Sequence, residues 1–210
     1  MTHADSPETG PARLILASKS PRRRAMLEQA GIAFECADAV DDGGLLPGSA
    51  DAEHWVAALA FLKAWSVARE LAVAPGEPAV VLGADTVCVS EGRLLGKPSD
   101  ASDARDMLRG FPGRTHQVLT GVALVSPSGE RELLVDAADV TWGSVDSGAI
   151  DRYVDSGGWR GKAGGYNLSE RINDGWPIVC EGDPATVMGL PMRRLVARFD
   201  AWSIPAGSAA

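Results

Sequence analysis

A carboxylate set inside an otherwise apolar run constrains this chain more than any other feature. Residues Ala79–Val89 read AVVLGADTVCV, with Asp85 inside the run. So dense a set of β-branched and small apolar residues predicts a buried strand. A carboxylate there is costly unless it is paired, hydrogen-bonded or bound to a metal. It can cap a turn at the strand's end, or it can be carried into a cleft by a strand that runs on. Val87, Cys88 and Val89 continue the run beyond it, which favours the cleft.

Around this run the chain alternates between strand and helix patterns. Strands are predicted over 13–17, 32–37, 79–89, 116–125 and 132–142, the last two forming an antiparallel hairpin about the 126–129 turn. Helices are predicted over 22–30, 51–72, 102–109, 147–155 and 191–202, with a glycine-rich loop at 157–165. In the 51–72 helix, Lys63 falls on the same face as Val56, Leu59, Ala60 and Val67. The pattern implies one α/β or α+β domain over 13–202, with flexible ends at 1–12 and 203–210.

Charge narrows the ligand. The 210 residues carry a formal net charge of −8, which argues against a broad basic surface for nucleic acid or an anionic membrane. An anionic ligand would therefore need cations gathered locally. Cys36, Cys88 and Cys180 are widely spaced and form no C-x-x-C pair, so neither a disulfide framework nor a cysteine zinc site is signalled. No signal peptide or apolar run of about 18 residues is visible, and a cytoplasmic location is expected.

Ser18-Lys19-Ser20-Pro21-Arg22-Arg23 lies where a strand enters a helix. Free amides at a helix start attract anions, and serine hydroxyls with arginine forks add directed donors. The alternative is a capped helix with solvated arginines, although cations in a first turn oppose the helix dipole. Lys63 can equally be a surface lysine lying along an apolar face. Gly96-Lys97-Pro98 and Gly161-Lys162-Ala163-Gly164-Gly165 place two further lysines in loops where glycine permits close approach. The segment Gly92–Ser99 is not an NTPase phosphate loop: it has three residues between its glycines where four are needed, and Pro98 follows the lysine. His3, His54 and His116 are too dispersed for a histidine metal site. A metal would be a hard cation on carboxylates, with Asp85 and the loop pair Asp41-Asp42 as candidates.

Taken in order, LILASKSPRR (14–23), Lys63, GADTV (83–87), GKP (96–98), GRTHQVLTGV (113–122), KAGGY (162–166) and VMGLP (187–191) resemble the Maf family of nucleotide pyrophosphatases. The resemblance implies a mixed twisted sheet with flanking helices, forming two lobes around a cleft as in the inosine triphosphate pyrophosphatase fold. It implies hydrolysis of a nucleoside triphosphate to the monophosphate and pyrophosphate, with magnesium or manganese, by a cytoplasmic homodimer. By resemblance, Asp85, Lys63 and Lys97 are catalytic. Ser18, Ser20, Arg22, Arg23, Thr86, Lys162 and Ser169 bind substrate, and Asp42 joins Asp85 on the metal. Arg22 and Thr86 match the family branch acting on dTTP and UTP. Ser169 stands where that branch has glutamine, Gly158 where it has glutamate, and 170–184 faintly resembles a second branch, acting on 7-methyl-GTP. The base therefore stays open. A nucleotide-binding regulator without turnover is the alternative function.

Overall fold

The computed structural model describes residues 10–40, 51–73 and 78–205. Asp41 and Asp42, and hence the expected second metal ligand, lie outside the described residues. The elements are, in order, β1 (Arg13–Ala17), α1 (Pro21–Gln29), β2 (Glu35–Ala37), α2 (Ala52–Val73), β3 (Ala79–Ser90), β4 (Arg93–Leu95), α3 (Ala101–Arg109), β5 (Thr115–Val125), β6 (Arg131–Trp142), α4 (Ser147–Asp155), α5 (Leu168–Asn173), β7 (Ile178–Glu181), α6 (Pro184–Met188) and α7 (Met192–Val196). Short 3₁₀ turns occupy Ala163–Gly165 and Asp200–Trp202.

The strands form one mixed sheet in the order β2-β1-β3-β5-β6-β7, with β4 also on β3. β1 runs parallel to β2 and β3, and every other pairing is antiparallel. β3 builds the cleft. Its beginning pairs with β1 as far as Leu16↔Leu82, and its end pairs with β4 from Cys88↔Leu95. Among the described residues no strand covers Gly83–Val87 on that side, while β5 backs the whole stretch on the other. The apolar run is thus a continuous strand whose middle third is an open edge, and Asp85 and Thr86 stand there.

Alternation along the strands divides the core. Leu14, Leu16, Leu82, Ala84, Val122 and Leu124 pack on Met26 and Leu27 of α1, Leu195 of α7 and Phe199. Their neighbours Ile15, Ala17, Val81, Ala123 and Val125 face Ala60, Ala64, Val67 and Ala68 of α2. Beyond the cleft, Cys88, Val118, Val140 and Trp142 pack on α3 and α4 through Ala104, Leu108, Ile150 and Val154. The first two cores, on the two faces of the same strands, belong to one lobe, and the third is the core of the other.

α2 lies unusually close to the sheet. A Cβ added at Gly83 would come within 2.2 Å of the Ala60 carbonyl oxygen, and one at Gly121 within 2.4 Å of that of Val56. Glycine in a strand interior often marks such an approach of another backbone. Gly121 is also the residue paired with Asp85 across β3 and β5. The missing side chains let α2 settle beside Asp85 and deliver Lys63 to it.

The strand expected at 32–37 begins only at Glu35. The helix expected at 191–202 ends at Val196 and gives way to a 3₁₀ turn, because Ile204 folds back to donate to the Phe199 carbonyl at 2.9 Å and is buried. At the other end Ala12 is buried and donates to Ser203 O at 2.8 Å, so packed structure extends past 13–202 on both sides.

His116 is buried beneath the second lobe, stacked on Phe111, with Nε2 at 2.7 Å from the Tyr166 hydroxyl. Burial pushes its pKa down from 6.5 to about 4. The folded chain then binds fewer protons than the unfolded one between those values, so this stability is complete above 6.5 and is lost as pH falls toward 4. We expect about 3 kcal/mol of acid destabilisation from this group. Urea titrations of His116→Gln across that window should lack this component; a slope equal to the parent's would contradict the assignment.

Candidate active site

A cavity of about 400 Å³ opens at the uncovered middle of β3. One wall is the β1–α1 turn, with Ser18, Lys19, Ser20, Arg22 and Arg23; the floor carries Lys63, Asp85 and Thr86; Lys97 and Tyr166 come from the second lobe. β1 ends at Ala17 and Pro21 opens α1 at its first position, where the fixed proline φ and missing N–H are tolerated. Ser20 occupies the cap position, yet its side chain makes no capping hydrogen bond. The helix start therefore faces the cavity uncapped by Ser20.

Lys63 Nζ donates to Asp85 Oδ1 at 2.6 Å, and both residues are buried. This answers the cost of placing a carboxylate in an apolar strand: the charge is paired. Thr86, next on the strand, points to the opposite face. Its hydroxyl accepts from Arg23 at 3.0 Å and lies 2.9 Å from that of Thr120, which in turn donates to the Thr186 carbonyl at 2.7 Å. Arg23 also donates through Nε to Gly189 O at 2.9 Å and through a terminal nitrogen to Ser18 Oγ at 3.3 Å. Its guanidinium is thus bolted to β3, to the turn after α6 and to the β1–α1 turn. Gly189 takes φ 112° to close α6, which is the conformational reason for glycine there.

Arg22 reaches across to the second lobe and donates to Gly161 O at 3.1 Å. Burial lowers its pKa, and the charge of Glu170 opposes that. Lys97 has no hydrogen bond or ion pair among the described residues. The structure thus brings Ser18, Ser20, Arg22, Arg23, Lys63, Asp85, Thr86 and Lys97 to one cavity. It does not put Lys162 or Ser169 on the wall: Lys162 is ion-paired with Glu170, and Ser169 donates to Met188 Sδ at 3.0 Å. Of these two contacts, only Met188 lines the cavity.

Several residues of the site carry no functional signal in the sequence. Thr120 lies inside GRTHQVLTGV and Gly189 inside VMGLP, but their role in holding Thr86 and Arg23 depends on contacts 34 and 166 residues apart in the chain. Asn167 and Tyr166 follow the KAGG loop onto the wall. Glu170 carried no signal beyond its charge.

The family model described as Maf-like protein matches residues 13–202. The chain belongs to the Maf family. Among its Maf relatives, a dTTP/UTP pyrophosphatase of Salinibacter ruber is 42% identical over 183 residues, covering 87% of either chain. A dTTP/UTP pyrophosphatase of Pelotomaculum thermopropionicum is 41% identical over 187 residues, covering 87% of this chain and 92% of its own. Among solved structures, a nucleoside-triphosphatase / dITP/XTP pyrophosphatase of Mycobacterium abscessus aligns with 63% of this chain and 75% of its own, at TM-score 0.38 and 17% identity. Among the described residues no helix is long and apolar enough to cross a membrane.

Proposed function

We propose that this Maf protein hydrolyses a nucleoside triphosphate between the α and β phosphates, releasing the nucleoside monophosphate and pyrophosphate. The observation that carries the reading is the Lys63–Asp85 pair, buried at 2.6 Å on the floor of a cavity whose rim is cationic. The overall acidity of the chain is no obstacle, because the cations are concentrated where the ligand would sit. The relatives' activity supports the reading and makes dTTP and UTP the first substrates to test; modified nucleotides remain in the panel.

Water attacks the α phosphorus, the bond from that phosphorus to the bridging oxygen breaks, and pyrophosphate leaves with its electron pair. Asp85 takes the proton of the attacking water, a role for a carboxylate within hydrogen-bond reach of it. Lys63 keeps the carboxylate in place. Arg22 and Lys97, with the uncapped start of α1, screen the phosphate oxygens and stabilise charge as it builds. Arg23 holds the wall of the cleft through Gly189, Ser18 and Thr86 as well as adding charge.

Dependence on magnesium or manganese belongs to the same proposal. Asp85 is the one carboxylate on the cavity wall among the described residues. That suits a cation that takes one or two carboxylates and completes its shell with phosphate oxygens and water. Asp85 would hold it, and its chemistry there would be neutralisation of phosphate charge. A cytoplasmic homodimer is likewise proposed, on the family resemblance.

The test is a panel of standard and modified triphosphates with magnesium, with manganese, and with a chelator, read as pyrophosphate release. Release with metal and its loss with chelator are expected. Tight nucleotide binding without release from any triphosphate would replace the enzyme with a nucleotide-binding regulator.

A further inference from the structure

Lys162 is flanked by Gly161 and Ala163, both on the cavity wall, yet its own side chain is not there. It is paired instead with Glu170. The two partners are unequally exposed, the lysine side chain at 11% and the carboxylate at 48%. The lysine is therefore held by its surroundings, whereas the carboxylate can return to water with little disturbance. The backbone N–H of Glu170 donates to the Asn167 side chain at 3.1 Å, and Asn167 lines the cavity, so α5 is anchored at its rim. Arg22 donates to Gly161 O beside Lys162, and the Glu170 charge reaches Arg22 as well. An anion of the protein's own thus occupies the field of two cations.

We propose that Glu170 is an internal competitor for polyphosphate: it holds Lys162 in the nucleotide-free protein and must be displaced by any ligand whose phosphates reach that lysine. The inference rests on reading the cavity as a triphosphate site. The exchange is one ion pair for another, with Glu170 released to water and Lys162 turned to a phosphate oxygen. No bond is made or broken. Its effect is to weaken substrate and pyrophosphate alike, which keeps the product from being retained.

Calorimetric binding of inorganic tripolyphosphate and pyrophosphate reads this without turnover. Glu170→Gln keeps the shape and removes the charge, and should bind both anions about threefold to fivefold more tightly, the size expected for loss of a half-exposed ion pair. KM for the best nucleotide of the panel should fall by a similar factor without a rise in kcat. Glu170→Ala should shift binding in the same direction, which guards against a folding artefact of one variant. In a Lys162→Met background the Glu170→Gln change should be less than about 1.5-fold, since the two residues act as a pair. Equal or weaker anion binding by Glu170→Gln with Lys162 intact overturns the competitor and makes Glu170 a support for the lysine. If the parent binds neither anion yet releases pyrophosphate from nucleotides, the inference falls and the functional reading stands; if it does neither, both fall.

Discussion

Gly83→Ala is expected to be among the most destabilising single-methyl changes available to this chain. The added carbon would sit 2.2 Å from the Ala60 carbonyl oxygen and 2.7 Å from the Ala64 backbone nitrogen. Both are main-chain atoms of α2, so no side chain can turn aside and the helix must lift. Overpacking ordinarily costs about 1–3 kcal/mol. A backbone collision on this scale should reach about 3 kcal/mol or more, a fall in Tm of roughly 6–12 °C for a domain of this size. Gly96→Ala is the control, because a carbon added there meets nothing within 4 Å. Its Tm should not fall. The displacement also has a catalytic signature: Lys63 rides on α2, so what remains folded of Gly83→Ala should lose activity per folded molecule. An unchanged Tm for Gly83→Ala would mean that α2 does not rest on the sheet as described.

The second large effect is expected for Asp85→Asn. The substitution is nearly isosteric and keeps an oxygen for the Lys63 ammonium, while removing the group proposed to accept the proton of water. Loss of a positioned general base costs about 10²–10⁴-fold in rate. We expect kcat to fall by that order, with nucleotide binding by calorimetry in the presence of chelator retained within about tenfold, because Arg22 and Lys97 are untouched and the cation proposed for Asp85 is absent from both arms. Turnover equal to the parent's would remove Asp85 from the chemistry. A purely structural role for Asp85 would show instead as a loss of Tm with kcat per folded molecule preserved.

Why Asp85 could be singled out from sequence, and Glu170 could not, is a matter of what each residue's surroundings cost. A carboxylate among Val81, Leu82, Val87 and Cys88 breaks a local pattern, and the cost of burying it demands a partner wherever the chain goes. Lys63 could be read as lying on the right helix face because helical spacing is local too. The closeness of α2 to β3 leaves only a hint in the sequence, glycine inside two strands at Gly83 and Gly121. The hairpin of β5 and β6 is legible in the sequence because both strands are long and meet at a short turn. The stretch 168–188 is not, since it packs α5, β7 and α6 into elements of 6, 4 and 5 residues. Elements that short show no periodicity, and Gly175, Gly182 and Gly189 punctuate them with positive φ. Within the site, the cationic turn and the lysines were legible as types. Which of them face the cavity, and what holds them, was not: Lys162 turns to Glu170 and is off the wall, while Arg23 lines it tied to Gly189 and Thr86, all contacts that only the folded chain creates.

Running the reaction of UTP or dTTP in ¹⁸O-labelled water, and locating the label by ³¹P NMR or mass spectrometry, shows which phosphorus the water attacks. Attack on the α phosphorus at Asp85 gives a nucleoside monophosphate carrying one labelled oxygen and an unlabelled pyrophosphate, and that is the expected result. Label in pyrophosphate would place the attack on the β phosphorus, and release of labelled orthophosphate with a nucleoside diphosphate would place it on the γ phosphorus. Either result would contradict the mechanism proposed for this cleft.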